Sequence, residues 1–193
     1  MPASPPDPSS AAALPYPVAP EDRVRADLYA LVSRLFAAPP DAAFLAALAG
    51  APELPEPPDA PLPVAYNALL RASRAMDAEA AAQEYTDLFV GVGKSEVNPH
   101  ASHWISGFML DKPLADLRTA LAAMGLERRG DTDLLEDHLA ALAEVMRVLI
   151  AGGEGRAPAP IADQRRFFET WISTWAFDCC DAITSCALAN YYR

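Results

Sequence analysis

The chain has 193 residues, with 15 Lys or Arg against 26 Asp or Glu and a formal net charge of −11. No run approaches the roughly 20 apolar residues of a membrane span, and no basic stripe is present to grip a phosphate backbone, so stable membrane insertion and nucleic-acid binding are excluded. The three cysteines, Cys179, Cys180 and Cys186, form no zinc-ribbon or redox pair and suit a reducing cytoplasm.

Hydrophobic residues make up 52% of the chain, and alanine dominates them. Alanine favours helix and β-branched residues are sparse, so the composition predicts an all-α protein. Residues 1–20 hold seven prolines and no apolar periodicity, which predicts a disordered tail. The tail lacks the basic start and apolar core of a secretory signal. Residues 21–37 space Val24, Leu28, Leu31, Val32 and Leu35 as one helix face, with Glu21 and Asp22 in the first turn. Asp41 starts a short helix through Phe44, Leu45 and Leu48. A stiff proline-rich loop over 51–63 follows, then helices over 62–76 and 78–90. Gly91 ends the second of these, and GVGKSEVNP reads as a loop.

Residues 101–110 predict a short helix. Pro113 opens another, which carries Leu114, Leu117, Leu121 and Met124 and is capped by Gly125. The next helix is predicted over 133–151, with Asp133 and Glu136 as a capping box. It places Leu135, His138, Leu142, Val145 and Leu149 on one face. The glycines and prolines of 152–160 predict a linker or hinge. Residues 160–192 add one or two aromatic-rich helices. The whole predicts a single helical-bundle domain over 21–193, of roughly seven to nine helices in one or two lobes.

Chemistry-bearing residues are few. Asp137 beside His138 could tune a proton transfer or orient the imidazole as a structural donor. His100 and His103 have a workable metal spacing on a helix, but no HExxH pattern or nearby cysteine joins them. GVGKS over 91–95 lacks the first glycine and the preceding strand of a phosphate loop. Aromatic residues near the 91–104 loop, with an acidic rim, suit a basic apolar peptide.

Three segments carry a family resemblance. Glu84-Tyr85-Thr86-Asp87-Leu88-Phe89-Val90-Gly91 is similar to an E-Y-x-x-L-F-x-G segment. Asn98-Pro99-His100-Ala101-Ser102-His103-Trp104 is similar to a proline loop with Ser and a following aromatic. Glu136-Asp137-His138-Leu139, with Glu144-Val145-Met146 after it, is similar to an E-P-x-D-H signature that lacks its proline here. In this order they resemble the TorD/DmsD/NarJ group of redox-enzyme maturation chaperones, over residues 23–193. The tail, Trp175-Ala176-Phe177 to Asn190-Tyr191-Tyr192, is similar to the last helices of that group. The spacing from GVGKSEVNP to GFMLDKPLADLR resembles the TorD-like proteins linked to formate dehydrogenases.

The resemblance implies a cytoplasmic, non-enzymatic chaperone with no cofactor or metal of its own. Its partners would be a molybdoenzyme catalytic subunit and the twin-arginine signal peptide of that subunit, held until the molybdopterin cofactor is inserted. The implied client-binding residues are Glu84, Tyr85, Phe89, Asn98, Pro99, His100, Ser102, Trp104, Glu136, Asp137, His138 and Glu144. A homodimer could form by swapping helices through 152–160. Two other readings stand beside this one: a helical adaptor in another complex, and a metal- or nucleotide-dependent enzyme using Asp137 and His138.

Overall fold

The computed structural model describes residues 16–91, 93–128, 133–153 and 155–193. Residues 1–15 of the expected tail lie outside them. The described residues form nine α-helices and no strand: α1 Pro20–Ala37, α2 Ala42–Gly50, α3 Pro61–Ala75, α4 Ala78–Tyr85, α5 Ala101–Ser106, α6 Lys112–Ala123, α7 Leu139–Ala151, α8 Ile161–Trp171 and α9 Ala176–Ser185. The all-α bundle read from composition is the fold observed.

Local chemistry explains most of the boundaries. Pro20, Pro61 and Pro113 sit in the first turns of α1, α3 and α6, where a missing N–H costs nothing. Asp41 and Asp77 cap α2 and α4 by accepting the N–H of Phe44 and of Ala80, each at 2.8 Å. The proline-rich loop before α3 is pinned by buried Asn67, which exchanges two hydrogen bonds with the backbone of Leu54.

Helix α7 is the axis of the bundle. It buries Leu139, Ala140, Leu142, Ala143, Met146, Leu149, Ile150 and Ala151. Its most extensive partner is α1, and α8 packs on it as well. The alanines at 140 and 143 let neighbouring backbones approach closely, because crossing distance follows side-chain size. Each fully buried Leu, Ile or Met here contributes about 1.5–3 kcal/mol. A smaller cluster of Leu45, Ala81 and Tyr191 lies apart from the main core, and Tyr192 packs against both.

Three expected elements differ in form. The helix predicted over 101–110 stops at Ser106, where Gly107 takes a left-handed φ of +81°. The helix predicted over 78–90 is α-helical only to Tyr85 and finishes as a π-helical turn over Thr86–Val90. The helix predicted over 133–151 begins only at Leu139, for a reason set by the site described next.

Because Leu142 is fully buried, Leu142→Ala is expected to lower stability by about 2–5 kcal/mol through lost burial and a cavity. Urea unfolding measures this. Exposed Leu188→Ala should stay within about 0.5 kcal/mol of the parent.

Candidate functional site

The first signature segment closes the fold. The π-turn carries Leu88 and Phe89 inward and ends at Gly91, whose φ is +67°. A Cβ there would meet the Lys94 carbonyl at 2.1 Å, so only glycine fits. Buried Glu84 points at the chain's last residues. Its Oε1 accepts the N–H groups of Asn190 (2.8 Å) and Tyr192 (3.0 Å), and its Oε2 accepts that of Tyr191 (2.9 Å). Three amide donors meet the charge that burial would otherwise strand.

The tyrosines beside this carboxylate finish α1. The last four carbonyls of a helix have no partner within it. The Tyr85 hydroxyl donates to the Phe36 carbonyl (3.0 Å) and the Tyr192 hydroxyl to the Leu35 carbonyl (2.8 Å). Phe36, Tyr85, Phe89 and Tyr192 form a cluster with ring centroids 5.0–6.3 Å apart. Burial raises both phenol pKa values, and the charge of Glu84 adds to this at Tyr192. Glu84, Tyr85 and Phe89 therefore face the interior, with their polar atoms engaged by the fold itself.

The second and third segments meet in one joint. Ala101 N–H donates to the Asp137 carbonyl (2.9 Å), and Leu139 N–H donates to the Pro99 carbonyl (2.8 Å). This short antiparallel bridge pairs His100 with His138. Asp137 is fully buried, and its Oδ2 accepts from the Ser102 N–H (2.9 Å) and hydroxyl (2.5 Å). Asp137 thus caps α5 from a distant point in the chain. Its Oδ1 is buried without a hydrogen-bond partner among the described residues.

The joint also explains where α7 starts. Residues 136–137 turn so that Asp137 can reach α5, and a helix begun at 133 would carry it away. The expected capping box of Asp133 and Glu136 does not form. His138 is the N-cap instead, with Nδ1 accepting the Ala140 N–H at 3.1 Å. The other segment is braced locally: Trp104 Nε1–H donates to the Asn98 carbonyl (2.7 Å), and Asn98 Oδ1 meets His100 Nδ1 at 2.8 Å.

Asp137 and His138 are 0% and 3% exposed, which leaves no face for a substrate. Burial, then the neighbouring His100, pushes the His138 pKa down to about 3. The His100 and His138 rings lie edge to face at 4.7 Å. Burial also lowers the His100 pKa, against the pull of the Asp137 charge. Among the described residues no three His, Cys, Asp or Glu side chains are grouped to hold a metal. Cys179 is buried, which raises its thiol pKa to about 12 and makes it unreactive.

Two of the sequence-derived residues lie elsewhere. Glu136 and Glu144 line an open cleft of ≈ 750 Å³ bounded by Ser33 of α1, the end of α6, residues Ala140 to Val148 of α7, and Gly153, Gly155 and Arg156. Glu136 is paired with Arg118 and Glu144 with Arg147. Burial works to raise the Glu136 pKa, but the Arg118 hydrogen bond and the charges of Arg118 and Arg128 hold it below the ordinary carboxyl value. The arginines were absent from the sequence-based site. Arg147 was findable, since it stands three residues after Glu144 on one helix. Arg118 was not, since only the packing of α6 brings it to Glu136.

Residues 52–181 match the family model described as nitrate reductase delta subunit. A crystal structure described as that of a candidate redox enzyme maturation protein from Archaeoglobus fulgidus shares the fold, with a TM-score of 0.56 and 16% identity over 94% of this chain and 91% of that one. No curated protein matches the chain.

Glu84→Ala would leave three buried amides without their acceptor. It is expected to cost about 2–5 kcal/mol in urea unfolding. A loss below about 0.5 kcal/mol would show that the clasp contributes little.

The histidines set a pH dependence. Above pH 6.5 His138 is neutral in both states. As pH falls from 6.5 towards about 3, the unfolded chain takes up a proton that folded His138 refuses, so stability declines. The loss expected from His138 between about pH 7 and 5 is ~2 kcal/mol. His138→Asn keeps a cap acceptor and removes the titration, so its urea midpoint should vary less over that range.

Proposed function

We propose, from the premise that the chain belongs to the nitrate reductase delta subunit family of redox-enzyme maturation chaperones, that it binds the twin-arginine signal peptide or the apo-form of a molybdenum oxidoreductase. It holds that client in the cytoplasm until the cofactor is inserted, and formate dehydrogenase is the narrower client in this reading. Family membership over residues 52–181 is the observation that carries it.

The cleft beside α7 supports the reading as a place for the peptide. Glu127, Glu136 and Glu144 line it together with Leu121, Leu126, Leu134, Val145 and Val148, and Arg128, Arg147 and Arg156 line it as well. Carboxylates among apolar side chains suit paired arginines followed by an apolar run. The net charge of −11 favours approach of a basic segment. The Asp137 joint between α5 and α7, with Arg118 of α6 on Glu136, would give this face its rigidity.

Within this reading Glu136 and Glu144 touch the client. Glu84, Tyr85, Phe89, Asn98, Pro99, His100, Ser102, Trp104, Asp137 and His138 act through the shape of the bundle. Residues 21–193 form the chaperone domain, and 152–160 are the hinge about which two copies exchange helices. No helix of the described residues is long and apolar enough to cross a membrane.

Isothermal titration of the full chain with a molybdoenzyme twin-arginine signal peptide is the test. Binding that weakens at high salt, and weakens further in Glu136→Gln/Glu144→Gln, is the expected result. Absence of binding both to that peptide and to any molybdoenzyme apo-subunit would overturn the reading.

A further inference from the structure

The two carboxylates just assigned to a client already hold guanidinium groups from this chain. Arg118 Nε and Nη2 each lie 2.9 Å from Glu136 Oε2. Arg147 grips Glu144 as a two-pronged fork, with Nη2 at 2.6 Å from Oε1 and Nε at 2.8 Å from Oε2. The Glu144 fork is the geometry in which a carboxylate recognises arginine rather than lysine. The cleft is therefore seen with arginine already at two of its three carboxylates, Glu136 and Glu144.

We infer that Arg118 and Arg147 are internal stand-ins for the client's arginines, occupying Glu136 and Glu144 until the peptide displaces them. The inference rests on the reading of this cleft as the signal-peptide site and names what regulates its affinity. Neither pair is sealed. The side chains are 50% and 18% exposed in the Arg118–Glu136 pair, and 30% and 48% exposed in the Arg147–Glu144 pair. Ion pairs of this exposure are weak, because water and salt screen them.

Exchange of one guanidinium for another keeps each carboxylate paired. The released Arg118 and Arg147 can reach water on their long side chains. The device has a direct consequence for a chaperone. The client must outcompete a resident group, so the complex is weaker than one formed on empty carboxylates. On release, the resident arginines close the site again.

Titration calorimetry on the full chain, with a synthetic signal peptide carrying paired arginines, tests this. Arg118→Ala and Arg147→Ala should each tighten binding by roughly two- to fivefold, the fold-change that matches an exposed ion pair. Arg147→Lys keeps the charge but loses the fork, and should show part of that gain. Arg165→Ala removes an exposed arginine on α8 outside the cleft, and should leave affinity unchanged. Wild-type binding with unchanged or weaker affinity in Arg118→Ala and Arg147→Ala would overturn the inference and leave the proposed function standing. Equal tightening by Arg165→Ala would also overturn it, since the effect would then be net charge alone. No peptide binding by the wild type or any variant would overturn both.

Discussion

A carboxylate removed from water destabilises a fold unless donors meet its charge. Asp137, fully buried, is met by the N–H and hydroxyl of Ser102 at the first turn of α5. The backbone bridge on either side, from Pro99 to Leu139 and from Asp137 to Ala101, holds that contact in register. Much of the bundle's geometry follows from it. It decides where α5 begins, forces the turn at Glu136 and Asp137, and leaves His138 to cap the central helix. Segments 35 residues apart thereby become one rigid corner between α5 and α7.

Glu84 applies the same chemistry at a second point in the fold. Its carboxylate gathers three successive amides of the terminal segment, while Tyr85 and Tyr192 complete the open carbonyls of α1. Glu84 and Asp137 are therefore consumed inside the fold. The satisfied network at Glu84 fixes one arrangement, because any other arrangement leaves its members unpaired. Glu136 and Glu144 instead line the cleft in partly exposed ion pairs. The two environments are adjacent in sequence: Glu136 faces the cleft and Asp137 the core.

The spacing of Val24 to Leu35 and of Leu114 to Met124 was enough to place two helices, since apolar residues repeated every three or four positions share one helix face, although Val24 at the start of α1 is 58% exposed and Ala26 is the residue that α1 buries. The prolines opening α3 and α6 and the aspartates capping α2 and α4 act on neighbours within four residues, so they were legible too. The start of α7 was not. Asp133 and Glu136 satisfy the local pattern of a cap, but Asp137 gains more by reaching a distant helix. The π-turn at Thr86–Val90 was equally hidden, because it arises where Leu88 and Phe89 must both turn inward against α1 and the terminal tyrosines.

The candidate site divides along the same line. The three signature segments were recognisable in order, and with them the family. Which of their residues face a partner was not, because adjacent positions such as Glu136 and Asp137 point to opposite environments. By itself the amino-acid sequence determined the helical class, the acidic character and the placement of most helices, all of which rest on composition and short-range spacing. Only the tertiary structure decided that Glu84 and Asp137 are internal clamps, that His138 is a cap, and that Arg118 meets Glu136. Each of these is a contact between residues 18 or more positions apart, or depends on one, and the energy of pairing a buried charge outweighs local preference.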